Sequence, residues 1–221
     1  TPKITLDYKT GDTLLYATYS KGFKAGAYNG STPSSPGPVD PETLSAYEVG
    51  VKSDIGGQVR LNVAAYYYQF DNIQVSRQNL GTTLVQNAAE AEAYGVEASL
   101  TYAVTSNLTL MASGSLEHTE YSSFRDAVAY VPTPAGNGTI GVGASGNRMI
   151  RAPKIVMNLA PEYNYPLANG ASIGLAANYY YNDGFYWDQA NQLYQPKYSL
   201  INASVTYTFP GEKVSIRAVA N

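Results

Sequence analysis

Cysteine is absent from the 221 residues, so neither a disulfide framework nor thiolate chemistry is available. Histidine occurs once, at His118, which leaves no multi-histidine zinc site. Charge is scarce. Asp, Glu, Lys and Arg make up 14% of the chain, where a soluble domain carries roughly 25%. The 17 acidic and 14 basic side chains nearly balance, and no basic patch offers itself to nucleic acid. No apolar run approaches the roughly 18 residues that a spanning helix needs, and the mean hydropathy of -0.23 is not that of a helical membrane protein. A β-barrel escapes that test, because only alternate residues of its strands face lipid. A signal peptide is also missing. The chain opens on Thr1-Pro2-Lys3-Ile4-Thr5-Leu6, a strand pattern, so the leader of an exported protein is expected to be processed off or to lie outside these residues.

What is abundant is tyrosine, 21 residues against 5 phenylalanines. Such amphipathic rings suit a boundary between an apolar and a wet medium. The stretch Gly95–Glu117 shows the dominant pattern. Val96, Ala98, Leu100 and Tyr102 alternate with Gly95, Glu97, Ser99 and Thr101; after a turn, Leu108, Leu110, Ala112, Gly114 and Leu116 alternate with polar residues. Period-two alternation makes strands with one apolar face, and arms of about ten residues match a tilted strand crossing hydrocarbon. Short turns rich in Gly, Asn, Asp and Pro fall at 9–12, 54–57, 104–107, 167–170 and 210–212; long loops are expected at 22–44, 78–86, 118–150 and 183–196. Ala88-Ala89-Glu90-Ala91-Glu92-Ala93 has helix-forming residues but is too short to hold a helix alone.

The expected fold is all-β: an antiparallel transmembrane β-barrel fragment of about ten strands, with short periplasmic turns and long extracellular loops. Tyrosines sort by level. Tyr19, Tyr47, Tyr66–Tyr68, Tyr94, Tyr179–Tyr181 and Tyr198 fall at the outer end, and Tyr102, Tyr163, Tyr165, Tyr207 and Phe209 at the inner end. These are the two aromatic girdles of a membrane barrel. The outward set, including Leu61, Val63, Met157, Leu159, Leu175, Ile201 and Ile216, holds no charge; the other parity carries Glu48, Lys52, Arg60, Glu97, Glu117, Lys154, Glu162, Lys213 and Arg217. A charged interior must be wet or filled by other protein.

Tyr19-Ser20-Lys21-Gly22-Phe23-Lys24-Ala25-Gly26, Pro41-Glu42-Thr43, Tyr47-Glu48-Val49-Gly50-Val51-Lys52 and Asn87-Ala88-Ala89-Glu90 leading to Tyr94-Gly95-Val96-Glu97 resemble segments of TonB-dependent outer-membrane receptors. Ser215–Asn221 resembles that family's penultimate strand. The resemblance spans essentially the whole chain. It implies a bacterial outer-membrane location, a parent with a 22-strand barrel, and import of a scarce solute such as a ferric siderophore. It also implies an N-terminal plug, and energy delivered by TonB with ExbB and ExbD. Residues 1–221 are then the C-terminal portion of the barrel, with the plug, the TonB-contacting segment and the last strand outside them. Implied partners are the plug, outer-membrane lipid and lipopolysaccharide. A passive porin-like channel and a soluble β-sandwich module remain as alternatives.

Among candidate sites, Phe185, Tyr186 and Trp187 form the strongest, three aromatics on an external loop that need a neighbour or a ligand. Arg125, Arg148 and Arg151 flank the longest loop and could grip an anion through forked donors. Glu48, Lys52, Arg60 and Glu97 are expected to face the plug. The glycine-rich 136–146 reads as a flexible loop, and His118 as a solvated loop residue. No nucleophile–base pair, metal cluster or cofactor motif emerges, so no enzyme is expected.

Overall fold

The structure is a computed structural model that describes residues 1–29, 37–79, 82–134 and 136–220. It holds twelve antiparallel strands and, among the described residues, no helix. Ten of them form one sheet in the order β1 (Lys3–Thr10), β2 (Thr13–Lys24), β3 (Glu42–Ile55), β4 (Val59–Asn79), β5 (Thr82–Ala103), β6 (Leu108–Phe124), β9 (Ile155–Pro166), β10 (Ser172–Tyr186), β11 (Tyr194–Thr208) and β12 (Ser215–Ala220). The remaining pair, β7 (Ala127–Thr133) and β8 (Gly136–Val142), is a separate hairpin inside the connection from β6 to β9. The sheet is open, with β1 and β12 as its edges. Ten wall strands is the number the turn signals call for.

Consecutive strands are neighbours because the inner turns are short. Gly11, Gly170 and Gly211 take the positive φ that these turns demand, while Thr105 Oγ1 closes the 104–107 turn by accepting from the backbone of Asn107 and Leu108. Register then aligns the faces. Leu15, Val51, Val63, Ala98, Gly114, Met157 and Tyr181 pair in turn across seven strands, all on the outward parity. A one-residue slip at any seam would turn that strand's apolar set inward. Leu116 is 61% and Ile201 66% exposed, and in a membrane protein that exposure is to lipid.

Past the expected membrane span the wall continues further than the composition suggests. The 78–86 segment is the end of β4 and the start of β5, β6 runs to Phe124, and β10 and β11 narrow the 183–196 connection to 187–193; residues 80 and 81 lie outside the described ones. Cross-strand pairing satisfies the backbone there, so the chain stays extended where polar composition alone reads as loop. The Ala88–Ala93 stretch is strand, with Ala89, Ala91 and Ala93 at two-residue spacing from Gly95. The 136–146 segment is not a free loop either. Gly136–Val142 pairs with β7, and Ala144 is fully buried, its N–H donating to the Phe124 carbonyl. An apolar cluster of Ala89, Ala91, Tyr121, Phe124, Ala127 and Ala144 ties the hairpin to Phe70, Ile73 and Val75 at the outer ends of the wall.

Candidate functional site

Two features converge on the concave side. The first lies at mid-wall. Tyr16 is paired with Gly50, and a side chain at Gly50 would meet the Tyr16 ring at 2.6 Å, so the ring lies flat on the neighbouring strand. Its hydroxyl donates to Glu48 Oε1 at 2.6 Å, and Lys52 Nζ stands 5.4 Å from the ring centre. The arrangement repeats two strands on: Tyr66 covers Gly95 and donates to Glu117 Oε2 at 2.7 Å. Tyr68 stacks on Tyr66 at 4.7 Å. Tyr16, Glu48, Lys52, Tyr66, Tyr68 and Glu97 line a hollow of about 520 Å³, which presents two carboxylates against one ammonium. Glu48, Lys52 and Glu97 thus sit together. Arg60 does not join them; it pairs with Asp54 at 2.7 Å beside the inner turn.

The second feature is at the outer mouth. Tyr186 and Tyr194 pair across β10 and β11 with rings 5.0 Å apart, on the same side as the Tyr180–Tyr198 pair at 6.0 Å. Arg148 lies 5.9 Å over Tyr186 and is held by its own donation to the Ala152 carbonyl at 2.6 Å. Asn191 fixes this loop: its Oδ1 accepts from Arg148 N and its Nδ2 donates to Arg148 O. Asp188 stabilises the turn by accepting from the backbone of Gln192 and Leu193. Phe185 and Trp187 alternate with Tyr186 and so face the other way, in a T-shaped pair at 4.9 Å with Arg151 5.1 Å over the indole.

The candidates therefore divide by face. Arg148 and Tyr186 meet on the inward side, and Arg151, Phe185 and Trp187 on the outward side. Arg125 is exposed at the bend before β7, and no hydrogen bond or ring contact joins it to the others among the described residues. Tyr16, Tyr66, Tyr68 and Tyr194 are inward residues missing from the candidate site residues, and Glu117, read from the sequence as an inward charge, was not among those candidates either. For Tyr66–Tyr68 the signal was present, since alternation sends only the middle ring outward. Tyr16 could be found only through its register with Gly50. His118 is not in a loop. It lies in β6 at the end of an outward ring row, Tyr19–Tyr47–Tyr67–Tyr94–His118, and stacks on Tyr94 at 4.8 Å. Among the described residues no group of three His, Asp or Glu could hold a metal.

The family model for TonB dependent receptor-like β-barrels matches residues 1–221. The metal-pseudopaline receptor CntO of Pseudomonas aeruginosa is 27% identical over 183 residues, covering 81% of this chain and 23% of that receptor. The chain thus spans about a quarter of the length of the curated relatives it matches. The ferric yersiniabactin uptake receptor FyuA from Yersinia pestis has a TM-score of 0.73 at 18% identity, over 99% of this chain and 35% of that one. The siderophore receptor PiuA from Acinetobacter baumannii has a TM-score of 0.73 at 19% identity, over 97% and 30%. At such identities these two structures speak for the fold alone.

Proposed function

The chain belongs to the TonB-dependent receptor β-barrel family of the bacterial outer membrane, and from that premise we propose that it forms the C-terminal part of a barrel whose parent imports a metal chelate, a ferric siderophore foremost. Members of this family are transport receptors rather than enzymes. In the proposed parent, the plug lies against the concave side, with Glu48, Lys52 and Glu97 facing it and Arg60 at the inner rim. Energy comes through TonB with ExbB and ExbD. The match over the whole chain leaves the porin-like channel and the soluble module without support.

The observation that carries the ligand reading is Arg148 held over Tyr186 on the inward side of the mouth. A fixed guanidinium on an aromatic face suits an anionic chelate with flat groups, since the ring covers one side of the cation and the N–H groups not given to Ala152 remain for oxygen. Phe185, Trp187, Arg125 and Arg151 are secondary here, because the first two and Arg151 meet on the outward side and Arg125 stands apart at the bend before β7.

The test is uptake of radiolabelled iron chelates by a strain lacking the parent gene, complemented with wild type or with Arg148→Ala. The deletion should abolish uptake of one chelate under iron limitation. Arg148→Ala should weaken apparent affinity by about tenfold, as expected for one lost charge-assisted contact. Unchanged growth and uptake on every iron source would refute the siderophore assignment. A second reading, a chelate of another metal, is favoured by the relative being a metal-pseudopaline receptor; the same uptake assay with chelates of divalent metals distinguishes it.

A further inference from the structure

We propose that the inward face of β10 and β11 is the wall side of the solute's passage, an uncharged lane from the Arg148–Tyr186 site to the inner rim. The proposal deepens the transport reading above and rests on it. Parity supplies the contrast. Each of the other wall strands turns at least one charge inward. Glu48, Arg60, Glu97 and Glu117 do so on β3 to β6. Asp7 does so on β1, Lys24 on β2, Glu162 on β9 and Arg217 on β12. β10 and β11 turn none. Below Tyr186 and Tyr194 the facing pairs include Asn182–Tyr198, Asn178–Asn202, Ala176–Ser204 and Gly174–Thr206. The strip therefore runs without a charge from the outer ends of both strands to Ser172 and Thr208 at the inner turn.

Its shape fits a path. The upper part is aromatic, and below Asn178 and Asn202 no inward side chain is larger than threonine. Tyr194 leaves the lumen open because it lies flat over Gly184, where a side chain would meet its hydroxyl oxygen at 2.5 Å. That hydroxyl donates to the Asp183 carbonyl at 3.1 Å. The amides are occupied with neighbours: Asn178 Nδ2 donates to Asn158 Oδ1 at 2.6 Å, and Asn182 Nδ2 to Tyr180 Oη at 3.1 Å. Near the inner end the margins carry opposite signs. Glu162 faces Ala176 from β9, and Arg217 donates from β12 to Ser204 Oγ at 2.9 Å. A solute that must move on has to be held weakly at each point. A fixed cation would keep an anionic chelate, and a fixed carboxylate would turn it back. Neutral amides already bonded to each other do neither. Plug attachment and passage then fall on different sectors of the wall, the charged β3–β6 and the uncharged β10–β11.

The experiment uses the full-length parent in a strain lacking its gene, with radiolabelled ferric catecholate and α-hydroxycarboxylate chelates, both anionic, as probes. Surface binding is read on cells de-energised with a protonophore, and import on energised cells. Asn178→Asp with Asn202→Asp sets two carboxylates facing each other in the lane. Import of the chelate that wild type takes up should fall about tenfold, as like charges about 10 Å apart in a polar passage imply. Surface binding should stay within twofold. Ser99→Asp with Ser113→Asp, also inward and paired in register but on β5 and β6, is the matched control. It should keep both readings within twofold of wild type. Heat-modifiable migration, scored in parallel, shows that each barrel is assembled. Unchanged import in the lane variant overturns the proposal, and so does an equal fall in both variants or a lane variant that no longer binds chelate at the surface. Wild type importing neither probe defeats the anionic-chelate reading itself and takes the lane with it. If the lane pair does not assemble, the isosteric Asn178→Asp alone decides on the same readings: import reduced about threefold at unchanged binding supports the lane, and unchanged import overturns it.

Discussion

A glycine without a side chain decides where two tyrosine hydroxyls go. At Gly50 and Gly95 the missing Cβ lets Tyr16 and Tyr66 lie flat on the next strand, and only in that pose does each hydroxyl reach a carboxylate, Glu48 or Glu117. The ring restores the packing that glycine gives up, an arrangement known to rescue strand glycines. Gly95→Ala should cost about 1–3 kcal/mol, the range for forced overpacking, because the new methyl would lie 2.5 Å from the Leu116 carbonyl oxygen and 2.8 Å from Tyr66 Oη. Tyr66→Phe keeps the ring and loses the bond to Glu117, for about 1.5–3 kcal/mol with a charged acceptor. Urea titration of the refolded parent barrel measures both. If Gly95→Ala unfolds at the wild-type midpoint, the ring is not seated on the glycine.

At the scale of elements, the outer connections are built as packed structure. Phe124 is 1% exposed within the cluster that joins the β7–β8 hairpin to β4 and β5. On the inner parity, Asn87 joins the 25–41 connection to the wall, donating to the Asp40 carbonyl at 2.9 Å and accepting from Asp40 N at 2.7 Å. Phe124→Ala should cost about 3–5 kcal/mol, confined to this outer layer. Hydrogen exchange should speed up in 119–149 and stay slow in the membrane-spanning half of β6; slowing lost equally along β6 would show that the two layers unfold as one. Tyr121 gives the layer a pH limit. Burial raises its hydroxyl above the ordinary tyrosine value, partly offset by a hydrogen bond to the Ile150 backbone. A raised pKa means that stability is intact below about pH 10, where the unfolded phenol stays neutral, and falls as pH climbs from there toward the folded value. Limited proteolysis of this layer should therefore accelerate above about pH 10, and Tyr121→Phe should remove the acceleration.

For the whole molecule, parity must hold from β2 to β11 in one unbroken frame, and this is what a membrane enforces. Leu110 and Leu175 lie on the lipid side, while Ser113 and Asn178 lie on the other. Leu110→Arg or Leu175→Arg should destabilise the barrel by about 2–4 kcal/mol and impair its assembly. Ser113→Arg and Asn178→Arg place the same charge against the interior and should assemble near wild-type levels. Heat-modifiable migration of the full-length receptor reads the outcome, and equal tolerance at the two parities would refute the two-media frame.

Sequence by itself determined strand alternation, the inner turns and the two solvents, because each is a local rule: period two, turn chemistry, and charge kept off one parity. The Tyr66–Tyr68 levels and the placement of Glu48 and Lys52 on one strand face were legible in it too. Tertiary structure alone decided the rest. Where a strand continues past the membrane depends on a partner strand rather than on its own polarity, as in β6 beyond His118. Arg148 meets Tyr186, and Arg151 meets Trp187, because residues 148–151 and 186–187 come side by side through chain returns of more than thirty residues. Register sets that meeting, and register is a property of neighbours.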